Sequence, residues 1–168
     1  MKKITASLFL MCTFLFSITM LAQKPMASPR DSVSGKINGA TITINYGSPS
    51  VKGRKIWGDL VPYGKVWRAG ANEATTFTTD KAIMVEGKAL PAGKYSFFAI
   101  PTDGEWTIVF NKTANQWGAY DYKEKEDALR VKVKPTKASP TMEHLKYTVM
   151  PSKITLNWEN LEVPVAIK

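Results

Sequence analysis

The chain holds 168 residues, with 23 Lys+Arg against 14 Asp+Glu, a formal charge of +9, one His and one Cys. That length fits one domain and excludes a multidomain enzyme or an array of long repeats. A lone His and a lone Cys exclude the usual zinc and iron sites and any internal disulfide, so neither a metal nor a cofactor is expected.

Met1-Lys2-Lys3 is a short basic start, and the run from Ile4 to Leu21 carries no charge before it ends at Ala22-Gln23. This is the layout of a secretory signal peptide over residues 1–22. A membrane anchor is the alternative, because the run approaches the length that spans a bilayer. Ser7, Thr13, Ser17 and Thr19 dilute it, and no basic stop-transfer cluster follows. Cys12 follows the bulky Met11, where lipoprotein processing wants a small residue, so no lipid anchor is expected there. The expectation is a periplasmic or secreted protein with no membrane span after cleavage. Loss of the leader removes the only Cys and leaves a basic chain that must be stable through its core alone.

Residues 23–30 read as a flexible lead-in, polar and carrying Pro25 and Pro29. Strand signals follow over 31–168. Thr41–Tyr46 alternates strictly, with Ile42, Ile44 and Tyr46 on one face. Ala82–Val85 is a short apolar run closed by Glu86-Gly87-Lys88, and Lys94–Ile100 is apolar on both faces, as a doubly covered central strand would be. Asp103-Gly104 between that run and Glu105–Phe110 predicts a hairpin whose glycine takes a positive φ. Tyr122–Arg130 is the one helical stretch, with room for a turn or two. Arg130–Lys134 places Val131 and Val133 inward and three cations outward. Ile154–Trp158 and Leu161–Ile167 alternate about Glu159-Asn160, and Pro164 assigns the last run to a sheet edge. The expected fold is an all-β antiparallel sandwich, roughly of jelly-roll type, in one domain.

The segment Ser48–Thr76 does not read as core. It combines Trp57 and Trp67 with prolines, glycines and several cations, and long irregular connections in small domains are usually functional or disordered. Its aromatic content argues against disorder. Trp67-Arg68, followed by Asn72-Glu73, sets a ring, a cation, an amide and a carboxylate close together, a set that stacks on a sugar or aromatic ring and bonds hydroxyls. Trp117-Gly118-Ala119-Tyr120 is a second aromatic cluster that would supply another wall. The candidate lining is therefore Arg54, Tyr63, Trp67, Arg68, Asn72, Glu73, Trp117 and Tyr120. Trp67 and Trp117 would stack, Arg54 and Arg68 would hold anionic groups, and Asn72 and Glu73 would bond hydroxyls. The structural alternative has Trp57 and Trp67 capping the sandwich and Arg68 paired with Glu73.

Pro49–Ile56 and Leu60–Thr76 resemble an uncharacterised family of secreted bacterial proteins, the domain of unknown function 2911. The likeness continues through Leu90–Ser96, the hairpin from Pro101 to Trp106, and Asn115–Tyr120. It implies an exported protein of a Gram-negative bacterium and supplies no activity and no catalytic residues.

Most familiar chemistry is poorly served. His144 alternates with Leu145 and Tyr147 and should face solvent, no Gly-x-Ser-x-Gly elbow exists, and the Gly47–Lys55 stretch fails the phosphate-loop spacing. Asn111-Lys112-Thr113 matches a glycosylation sequon. A glycosidase-like hydrolase needs two carboxylates; Glu73 is the best acid, with Asp59, Asp121 or Glu105 as partners. The functional expectation is a non-catalytic domain that binds a small polar or saccharide-like envelope ligand. A hydrolase centred on Glu73 and a structural or assembly protein of the envelope are the alternatives. The positive charge suits solubility, edge protection and weak attraction to an anionic envelope surface; an exported protein has no evident nucleic-acid partner.

Overall fold

The structure, a computed structural model, describes residues 27–168. The expected signal peptide and the first half of the lead-in, residues 23–26, lie outside the described residues. In chain order the strands are β1 (Arg30–Ile37), β2 (Ala40–Gly47), β3 (Thr75–Thr79), β4 (Ile83–Val85), β5 (Lys88–Leu90), β6 (Gly93–Ile100), β7 (Trp106–Asn111), β8 (Asp127–Val133), β9 (Thr136–Met150) and β10 (Lys153–Ala166). All pairings between them are antiparallel.

One sheet runs β1-β2-β3-β6-β7-β8, a meander in which sequence neighbours pair while the β4–β5 hairpin stands aside. The long β9–β10 hairpin forms the opposing layer. Its C-terminal end reaches β4, where Met84 and Lys168 exchange backbone hydrogen bonds of 2.7 and 2.8 Å. Between the layers, the inward residues of β2, β3, β6 and β7 (Ile42, Ile44, Phe77, Phe97, Phe110) share one core with Leu145, Tyr147, Leu156 and Trp158. Its rings meet edge to face, as their quadrupoles favour: Phe77 and Phe110 have centroids 5.0 Å apart at 82°. The expected all-β antiparallel sandwich is what forms.

The alternation in β2 buries Ile42, Ile44 and Tyr46 as expected. β6 lies between β3 and β7, with Tyr95, Phe97 and Ala99 in the main core and Phe98 and Ile100 in a second apolar cluster with Ala74 and Val109, which explains its two apolar faces. β8 ends the large sheet with Val131 and Val133 buried and Lys132 and Lys134 exposed, so charge guards the open edge. β1 begins at Arg30, within the expected lead-in, and turns into β2 through Asn38 and Gly39, both at positive φ.

The short helical stretch expected at 122–130 is a single 3-10 turn, Glu124–Glu126, before β8; it has no buried residue to anchor a longer helix. Two local readings need correction. The 101–105 hairpin forms, but Gly104 is not at positive φ. Its backbone N–H donates to Thr102 Oγ1 at 3.0 Å, and that hydroxyl donates to the Glu105 carbonyl at 2.9 Å, so the threonine side chain shapes the turn. Glu159-Asn160 does not separate two strands. β10 runs through it with register shifts on either side of Glu159, whose φ of 52° marks a bulge.

Candidate functional site

The irregular segment between β2 and β3 is pinned at both ends and in the middle. Leu145 N of β9 donates to Pro49 O at 2.9 Å and Val51 N donates to Glu143 O of β9 at 2.8 Å, and Trp67 exchanges backbone bonds of 2.8 and 2.9 Å with Ala99 of β6. Ala69 and Asn72 then take positive φ values of 51° and 64°. The Ala69 carbonyl that results accepts hydrogen bonds from Thr75 Oγ1 at 3.0 Å and from the buried Tyr147 hydroxyl at 2.8 Å. These ties fix the direction in which Asn72 and Glu73 leave the sheet.

A second loop, 112–123, closes over the outer face of the large sheet. Ala119 and Tyr122 pack on Ala74, Phe98 and Val109, a small apolar cluster separate from the main core. Asn111, fully buried, organises the loop's entry. Its amide nitrogen donates to Lys123 O at 3.0 Å and to Asp127 Oδ1 at 2.8 Å, and its oxygen accepts from Thr113 N at 3.0 Å. The sequon asparagine is thus a buried structural residue. Ala74 N donates to Gln116 O at 3.0 Å, and Glu73 and Trp117 stand opposite each other in a bridge.

Where these two loops meet, a cleft of about 380 Å³ opens on the sheet's polar face. Glu73, Trp117, Asn45, Asn115, Gln116 and Lys94 are among its walls. Trp117 is 58% exposed at the rim. Glu73 is held by Arg30 at 2.9 Å, both about half exposed. The buried Gln116 Oε1 has no hydrogen-bond partner, while its Nε2 donates to Thr113 O at 2.7 Å. Among the lining residues Glu73 is the one carboxylate; Asp59, Asp121 and Glu105 lie elsewhere.

The other nominated residues divide among different places. Arg54, Trp67, Arg68 and Asn72 share a pocket of about 270 Å³ with Trp158. Tyr63 lies with Lys55, Trp57 and Glu159 on a third cavity of about 330 Å³. Tyr120 is 81% exposed and lines none of these three. It stands beside Arg68 across Gly118, where an added Cβ would lie 3.1 Å from its ring and 3.5 Å from Arg68 Nη1.

Trp67 does not join Trp117. It stacks on Trp158 at 5.9 Å and 18°, with Trp57 edge-on to both and to Trp106. The tryptophan cap of the structural alternative therefore exists, but its ion pair does not: the partner of Glu73 is Arg30, not Arg68. Arg30 and Asn45 escaped sequence reasoning. Asn45 had a signal, since it sits out of phase with Ile42, Ile44 and Tyr46 on the solvent face of β2. Among the described residues no group of three or more His, Cys, Asp or Glu is placed to hold a metal.

The fold and the cleft define an all-β sandwich domain with an aromatic-rimmed polar groove on one sheet face. Residues 28–167 match the family described as protein of unknown function (DUF2911), and the chain belongs to that family. No curated protein and no solved structure gives a significant match to it.

Proposed function

We propose that the protein is an exported, non-catalytic domain that binds a small polar, saccharide-like ligand of the cell envelope in the cleft between Glu73 and Trp117. The observation that carries this reading is the exposed Trp117 ring standing beside a floor of amides and hydroxyls: Asn45, Thr76, Asn115 and Gln116. A sugar presents an apolar C–H face and a rim of hydroxyls, and this wall offers a ring for the first and amide groups for the second. The unpartnered Gln116 Oε1 leaves a hydrogen-bond requirement that a small opening of the cleft would let a ligand hydroxyl meet. A lone carboxylate, already neutralised by Arg30, favours binding over two-carboxylate hydrolysis. Lys132 of β8 and Lys134 just beyond it add weak, salt-sensitive attraction to anionic envelope surfaces.

A thermal-shift screen of neutral envelope saccharides tests this. A sugar at one hundred times its Kd stabilises by about 2.7 kcal/mol, which for a domain of this size raises the melting midpoint by about 5–10 °C. Trp117→Ala should melt like the wild type and lose the shift. If no saccharide moves the wild-type midpoint, the protein is structural rather than a receptor.

A further inference from the structure

We infer that the pocket holding Arg54, Arg68 and the stacked Trp67–Trp158 pair is a second ligand site, distinct from the cleft. Its chemistry fits a small organic anion: a carboxylate or phosphate group carried on an apolar or aromatic body. The charge pattern is the starting point. The chain has four arginines, at 30, 54, 68 and 130. Arg30 is paired with Glu73, and Arg130 with Glu124 and Asp127. Arg54 and Arg68 have no carboxylate partner among the described residues, and residues 1–26 contain no Asp or Glu to supply one. These two uncompensated guanidinium groups line the same pocket, and no acidic residue lines it with them.

The site is also organised before any ligand arrives. Arg54 Nε donates to Val51 O at 3.0 Å and its Nη2 to Ser50 O, which fixes the plane of the group and leaves Nη1 to donate. Arg68 is half-buried, backed by Gly118, and its Nε has no partner. The Asn72 amide donates to Ser28 O at 3.1 Å and holds the pocket's margin. Leu60, Val61, Trp67 and Trp158 supply apolar wall. A planar, prepositioned guanidinium matches carboxylate and phosphate oxygens, and the tryptophan face accepts an apolar body. The volume of about 270 Å³ limits the occupant to a small molecule. Lys55 and Asp59 flank Arg54 in the adjoining groove, so the approach is not uniformly positive.

Calorimetric titration with benzoate, phenyl phosphate, inorganic phosphate and neutral benzamide tests the assignment. Benzoate or phenyl phosphate should bind at least about tenfold more tightly than benzamide, the scale of one charge-assisted hydrogen bond. Arg54→Gln is an exposed change whose fold can be checked by circular dichroism, and it should lose most of that advantage. Trp117→Ala should leave anion affinity unchanged, which keeps this site's failure separate from the cleft's. Binding of benzoate alone assigns a carboxylate and of phenyl phosphate alone a phosphate; binding of both assigns the shared oxyanion. Equal affinity for benzamide, unchanged affinity in a folded Arg54→Gln, loss in Trp117→Ala, or no saturable binding of any anion at millimolar concentration would overturn the proposal.

Discussion

Gly47, the last residue of β2, is where the irregular segment comes nearest the sheet. A Cβ placed on it would drive into the Ala71 carbonyl oxygen and lie 2.9 Å from its carbonyl carbon, both backbone atoms. Ala71 N donates to Gly47 O at 3.2 Å, and a Cβ on Gly70 would stand 3.0 Å from that same oxygen, so the two backbones pack directly together. No rotamer change relieves a clash with backbone. Gly47→Ala must therefore push residues 69–73 off β2, at the upper end of overpacking costs, about 3 kcal/mol. For a domain of this size that lowers the midpoint by about 6–12 °C. Gly104→Ala is the matched control, because its nearest neighbour would be 3.9 Å away and its φ is not positive. Differential scanning calorimetry of the two variants beside the wild type gives the comparison. The displaced segment carries Glu73, so Gly47→Ala should also weaken any ligand held in the cleft. If Gly47→Ala melts with Gly104→Ala, the segment does not pack on β2 as described, and the position of Glu73 loses its support.

Alkaline titration gives an independent test of the core. The Tyr46 phenol is pushed up to about 12 from 10.0, by burial and then by its hydrogen bond to Asp31. Burial also raises Tyr122, which bonds Asp127 at 2.6 Å, and raises Tyr147 well above its ordinary value. A raised folded-state pKa gives stability that is intact below the unfolded value and lost as pH rises through the folded one. Stability should therefore be level up to about pH 10 and fall between there and about 12. Phenolate absorbance of these three tyrosines should appear with unfolding; smooth ionisation in the folded protein would show that they are not buried. Thr102→Val removes the hydroxyl that shapes the 101–105 turn and should cost about 1 kcal/mol in denaturant unfolding. A neutral result would mean that the backbone holds the turn unaided.

Strand alternation made β2, β6, β7 and β8 legible because one or both faces of each are buried, and burial is what hydrophobic pattern records. β1 was missed because its exposed face and edge position leave it mostly polar, with Val33 and Ile37 its only large apolar residues. The bulge at Glu159 imitated a turn, since a polar pair between two apolar runs reads the same whether the chain reverses or kinks. At the site, residue types were informative and their grouping was not. Trp67 and Glu73 are six residues apart, but the positive φ at Ala69 and Asn72 sends one to the tryptophan cluster and the other to the opposite side of the sheet. Glu73 and Trp117 were both nominated, and strand pairing through Ala74 and Gln116 brings them together. Arg30 met Glu73 only because β1 folds back along β2, a long-range pairing that a local motif does not contain.

The central claim, that Trp117 and not the clustered tryptophans receives the neutral polar ligand, is open to one direct measurement. The chain has five tryptophans, and each gives one indole N–H signal in a nitrogen-15 correlation spectrum. The protein should be titrated with the neutral saccharide that most stabilises it in the thermal screen. The expected result is saturable movement of the Trp117 indole signal, with Trp57, Trp106 and Trp158 unmoved. Movement confined to the clustered tryptophans, or no movement at all under saturating sugar, would contradict the assignment of the cleft as the binding site.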